Sequence, residues 1–162
     1  HRITITSPQR FRPFVWQDTA YVPVHARDFF GARAVTHRAG LTIEVSDFEK
    51  TFLDCLQRFD LAGGMVPFYR ALHRFGFLNP ARLMEYLDRF GSQALKVRAG
   101  FTLYHLRNRW DIPPSVLNRL LDLTSSGPYF LDRSLPTELC DLDPLWNCWI
   151  PKDFAELTRP VE

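Results

Sequence analysis

Arginine is the residue through which this chain has most chemistry to offer. Seventeen of the twenty basic residues are Arg, leaving only Lys50, Lys96 and Lys152. The guanidinium is a planar five-donor fork suited to phosphate, carboxylate and stacked contacts. Arg70 and Arg74 stand four residues apart, Arg82 and Arg89 seven apart, and Lys96 and Arg98 follow. Spacings of three, four and seven place charges on one helical face. These six are the candidate contacts for a partner or a nucleic acid. A shared basic surface would attract phosphate with a strong salt dependence, or would meet an acidic protein by charge complementarity. The plainer reading is a solvated face partly neutralised by Glu85 and Asp88, and a GC-rich genome by itself enriches Arg. Net charge is only +2, so the sum alone does not mark a nucleic-acid binder.

Catalytic constellations are sparse. No G-x-S-x-G turn and no P-loop or G-x-G-x-x-G after a strand occurs. His1, His25, His37, His73 and His105 are scattered, with no pair at zincin spacing. A metal-dependent nuclease needs carboxylates and a Lys converging on a cation, and Asp28, Glu44, Asp47, Glu49 and Lys50 are of the right types. Glu44 lacks a Lys two residues on, however, and Glu49 reads as part of a helix cap. Asp54 reads as a helix-surface carboxylate paired with Lys50 or Arg58. Of the three cysteines, Cys55 falls on an apolar stripe, while Cys140 and Cys148 are too few for a zinc site and lack a nearby His. We therefore assign no catalytic residue, no metal site and no cofactor, and expect a reduced, cytoplasmic setting. No signal peptide, lipidation motif or run of about eighteen apolar residues suggests export or a membrane.

A chain of 162 residues, 46% apolar and 14% aromatic, suits one well-packed domain. Residues 1–45 read as strands: Arg2–Thr6 alternates apolar and polar, Phe14–Trp16 and Tyr21–Val24 flank a hairpin-like Gln17–Ala20, and Leu41–Val45 alternates again. Pro23 suggests a sheet edge. The expected sheet is small, mostly antiparallel and of about four strands. Residues 46–123 read as about five helices. Asn79-Pro80 and Ser92 supply helix starts, and Gly91 a stop. Gly100, inside the fourth helix, should cost about 1 kcal/mol against Ala. Asp111-Ile-Pro-Pro-Ser115 opens the fifth. The tail, 124–162, reads as ordered coil that packs Tyr129, Phe130, Trp146 and Trp149 back onto the body. The fold class expected is thus α/β (α+β), a sheet followed by a helical half and a coil tail.

The richest stretch runs from Ser46 to Gly64. Ser46 followed by Glu49 has the form of a capping box. Phe48, Phe52, Cys55, Leu56 and Phe59 make one apolar stripe. Gly63-Gly64 lets the backbone turn with positive φ. Ser46, Glu49, Lys50, Thr51, Asp54, Gly63 and Gly64 are therefore structural residues first.

The same block, Val45-Ser-Asp-Phe-Glu-Lys-Thr-Phe-Leu-Asp54 with Ala62-Gly-Gly64, resembles that of AbiEi-type antitoxins, described as predicted transcriptional regulators of viral defence systems. Arg2-Ile-Thr-Ile-Thr-Ser-Pro8 resembles the strand after that family's winged helix. Arg82-Leu-Met-Glu-Tyr-Leu-Asp-Arg-Phe-Gly91 and Lys96-Val-Arg-Ala-Gly-Phe101 resemble its later R-x-G segment. The similarity covers roughly residues 2–123. It implies the C-terminal antitoxin domain of a type IV toxin–antitoxin system, acting against a cognate nucleotidyltransferase-like toxin in abortive phage defence, without enzymatic activity of its own. Operator DNA would be bound by a winged helix that is absent from this chain, which opens on His1. The match at Arg98 implies an ion pair or a partner contact. Two other readings stay open: a DNA-binding regulator of a non-toxin operon, and a metal-dependent nuclease.

Overall fold

The computed structural model describes residues 1–26, 28–36, 40–124 and 127–159; His37 lies outside them. The fold is mixed α/β, as the composition and periodicities suggest. The chain divides into two compact units, His1–Val45 and Ser46–Glu162, where its length points to a single domain. The division falls between the strand-rich and helical stretches, where the apolar period changes from two to that of a helix.

The N-terminal unit holds β1 (Arg2–Ser7), β2 (Phe14–Trp16), β3 (Thr19–His25), β4 (Ala32–Thr36) and most of β5 (Thr42–Ser46). They form two sheets rather than one, of order β1-β3-β2 and β4-β5. β1 runs parallel to β3, and β2 antiparallel to it. Gln17 and Asp18 turn the β2–β3 hairpin with φ of 46° and 58°, the pair of positive angles that a two-residue turn of the twist-matching kind requires. β3 is the central strand, yet Pro23 pairs only with Ile5 of β1. β2 reaches no further than Thr19–Tyr21, so a residue without an N–H meets an open side there.

The second unit is built around a helix. Its elements are α1 (Phe48–Gln57), a 3₁₀ turn (Phe59–Ala62), α2 (Met65–Leu72), α3 (Pro80–Phe90), α4 (Gln93–Leu106) and α5 (Pro114–Leu123). Then come β6 (Tyr129–Phe130), β7 (Cys140–Asp143), β8 (Cys148–Pro151) and a short α6 (Phe154–Leu157). Asn79 and Ser92 cap α3 and α4 through their side chains, and Gly91 ends α3 at φ 62°. α4 is buried from Leu95 through Leu103 on every face. It packs against α1, α3 and α5, and against β6 and β8. A helix enclosed all round needs no amphipathic pattern, which is why this one shows no clear stripe.

The tail corrects the expectation of coil. β6, β8 and β7 form a three-stranded sheet, β6 parallel and β7 antiparallel to β8. Strands of two to four residues are too short for alternation to declare them. Trp146 is the anchor of this sheet's connection and is 1% exposed. Its backbone N–H is held by the Asp143 carboxylate at 2.8 Å.

Trp146 also explains Gly100. A Cβ built on Gly100 would lie 1.9 Å from Cζ3 of the indole. The tryptophan is itself fully enclosed and cannot swing aside. Gly100→Ala should therefore lower stability by about 1–3 kcal/mol, although Ala is the better helix former by about 1 kcal/mol. Urea unfolding reads the sign directly, since a rise in the midpoint would mean that propensity outweighs the contact.

Candidate functional site

The residues of the Ser46–Gly64 block and its downstream partners meet in two polar knots. The first joins the starts of α1 and α3. Asp47, not Ser46, caps α1: its Oδ1 accepts from the Lys50 N–H at 2.9 Å. Ser46 Oγ instead meets Thr51 Oγ1 at 2.7 Å. Glu49 is no capping-box partner either. It is 3% exposed, accepts the Asn79 N–H at 2.7 Å, and lies 3.3 Å from the Arg82 guanidinium. Arg82 also lies 3.6 Å from Asp47, whose Oδ2 accepts from the Tyr86 hydroxyl at 2.8 Å. Burial, with that hydrogen bond, pushes the Tyr86 phenol up to about 12, so it remains a donor. A buried carboxylate is costly unless its oxygens are satisfied, and the third-position spacing that suggested a local cap serves a contact 30 residues away.

The second knot is Arg98. Its side chain is buried, with Nε donating to the Phe130 carbonyl at 2.8 Å and Nη1 to those of Leu56 and Gln57 at 3.3 Å each. The guanidinium thus sits on the C-terminal carbonyls of α1, where helix polarity favours a cation, and ties them to β6. Burial, then the neighbouring Arg133, lowers its pKa from the ordinary value. One turn on, Thr102 donates to the Arg98 carbonyl at 2.7 Å, so the Tyr69 hydroxyl is the donor in their 2.8 Å contact.

The remaining candidates divide cleanly. Lys96 is 9% exposed and reaches Asp88 at 3.2 Å. Arg89 makes a loose surface pair with Glu85 at 4.0 Å. Lys50 pairs with Asp54 at 2.6 Å, as its spacing suggests, while Arg58 turns to Asp60 at 2.8 Å. Gly63 and Gly64 adopt φ of 81° and 117°. Arg70 and Arg74 are exposed at the end of α2 and form no ion pair among the described residues. Of the six basic candidates, four are engaged by partners of this chain, and Arg70 and Arg74 pair with no carboxylate among the described residues. Sequence reasoning passed over Arg109, which donates to the His73 carbonyl beside Arg74. Its signal was slight, an Arg two residues after Arg107 in a helix connection.

The three cysteines are raised, buried or half-buried thiols. Burial, helped by Asp54 and Asp60, pushes the Cys55 thiol up to about 11, and burial pushes Cys148 to about 12 and raises Cys140. Cys140 faces Pro151 and Cys148 faces Asp143 in the β7–β8 ladder, an odd offset that sets the two thiols on opposite faces. Among the described residues no three His, Cys, Asp or Glu side chains are grouped to hold a metal ion. A cleft of about 630 Å³ lies among Met65, Pro67, Leu139, Pro151 and Leu157, with Lys152 and Asp153 also lining it. Its Asp132 is occupied by Ser134. The rest of its lining is mostly apolar. No helix is long and apolar enough to cross a membrane among the described residues.

No protein-family model matches the chain, and neither a curated protein nor a solved structure does.

Replacing Arg98 by Met should leave the carbonyls of Leu56, Gln57 and Phe130 buried without their donor, a loss on the order of 3 kcal/mol in urea unfolding. Arg98→Lys should recover little of it, because one ammonium cannot span α1 and β6. In contrast, Glu49→Gln keeps an acceptor for Asn79 and forfeits only its charge toward the half-exposed Arg82 guanidinium, which also reaches Asp47, so it should cost less than Arg98→Met, about 1–2 kcal/mol. The raised thiols make a separate prediction: at pH 8 the native protein should alkylate far more slowly than the unfolded chain, with mass spectrometry counting the modified cysteines.

Proposed function

We propose that this chain is the antitoxin domain of an AbiEi-type system, acting by binding rather than by catalysis against a nucleotidyltransferase-like toxin. The observation that carries the reading is the interlocking of the residues on which the resemblance rests. Glu49 meets Arg82, Lys50 meets Asp54, and Gly63-Gly64 closes the 3₁₀ turn. Arg98 of the R-x-G element braces the end of α1, and its Gly100 receives Trp146. Residues that recur together for a structural reason would be expected to contact one another in this way. In the same reading the domain works in the cytoplasm, and operator recognition belongs to a winged helix outside this chain.

Co-expression tests it. The reading requires a nucleotidyltransferase-like gene beside this one; cells carrying it should stop growing, and should recover when these 162 residues are induced. Continued arrest, with the fragment folded by circular dichroism, would remove the antitoxin reading and favour a regulator of another operon. The Arg98→Met variant should fail to rescue in proportion to its lost stability.

A further inference from the structure

Three separate segments that meet at His73 carry four arginines. Arg70 and Arg74 flank it on and just after α2. Arg109, in the connection between α4 and α5, donates to the His73 carbonyl. Arg159 follows Thr158, whose carbonyl lies 3.0 Å from His73 Nε2. All four are exposed, and none is in an ion pair among the described residues. Among the described residues, Asp111 and Glu156, each within three positions of one of these arginines, pair with none of them. Gathering like charges is unfavourable, and other cations of the same unit, Lys50, Arg58, Arg82, Arg89 and Lys96, do face carboxylates.

Beside this cluster the chain leaves two aromatic rings open. Phe77 is 77% exposed and makes no ring contact, and Phe75 is 49% exposed while resting one side on Phe48. The loop that bears them is held rather than loose. Its Phe75 carbonyl accepts from Trp110 Nε1 at 2.6 Å, one residue from Arg109. Leu78, just beyond Phe77, is buried. An exposed, supported phenylalanine next to unmatched guanidinium groups has the parts of a stacking platform within a phosphate track.

We propose that Arg70, Arg74, Arg109 and Arg159, with Phe77 and Phe75, form a binding surface for single-stranded nucleic acid, the guanidinium groups taking phosphates and Phe77 stacking on an unpaired base. A duplex would satisfy the arginines but keep its base faces hidden from the ring. An acidic peptide would satisfy the charges and leave the exposed ring unexplained. The surface rests on geometry alone and stands whether or not the chain is an antitoxin.

Fluorescence anisotropy of the whole chain tests this, with a labelled single-stranded RNA of about twelve nucleotides, a duplex of equal length and a poly-glutamate peptide. The single strand should bind most tightly. Phe77→Ala should weaken it about fivefold or more. The Arg70→Ala/Arg74→Ala pair should weaken it too, and should reduce the salt slope by about 1.4. Arg58→Gln, whose charge Asp60 already matches, should change little, and all variants should keep the wild-type unfolding midpoint to within a small shift. Equal affinity for the duplex with no effect of Phe77→Ala would overturn the proposal in favour of plain charge attraction. Preferential binding of poly-glutamate would assign the surface to an acidic protein, and no binding to any probe at low salt would remove it altogether.

Discussion

Complete burial of one helix is the constraint from which the C-terminal unit takes its form. α4 has no solvent face over Leu95–Leu103, so each of its polar residues must find a partner inside the fold. Arg98 does so by turning its guanidinium onto the carbonyls that α1 cannot pair for itself. A helix end and a buried cation, each unfavourable alone, thereby satisfy one another. The same side chain takes up the carbonyl of Phe130, which brings the short tail sheet against the helices. Two residues further along, the lack of a side chain at Gly100 lets Trp146 close the opposite side.

A similar economy governs the first knot. Asp47 and Glu49 lie where the start of α1 favours negative charge, and both reach across to α3. Arg82 neutralises them from the half-exposed rim. Arginines that look alike along the chain are thus put to different uses. Arg98 is an internal brace, Arg82 a clamp between helices, and Arg58 a local surface partner of Asp60. Other arginines, those around His73 among them, stay on the outside and pair with no carboxylate among the described residues.

The N-terminal unit follows other rules. None of its described residues is buried, and Val15, Trp16 and Leu41 are 72%, 60% and 65% exposed. Its order comes from strand pairing and from local ring contacts, such as Phe14 stacked on Tyr21 at 4.9 Å between centroids. Small sheets held in this way have few apolar contacts to resist opening, and belong to the least protected part of a structure.

The parts of this protein that its sequence determined by itself are those whose causes lie within about four residues. Asn79 and Ser92 start helices, Gly63 and Gly91 turn with positive φ, and Lys50 finds Asp54 one turn on, all from local geometry. Tertiary structure decided the rest. Glu49 leaves its expected cap for Asn79, and Arg98 finds Leu56, Gln57 and Phe130 at separations of 32 to 42 residues. Strands of two to four residues formed because neighbours offered them hydrogen bonds, not because of any period of their own. Whether a given arginine is spent or free depends on which carboxylate the fold carries to it. That is a property of packing, which spacing along one helix does not contain.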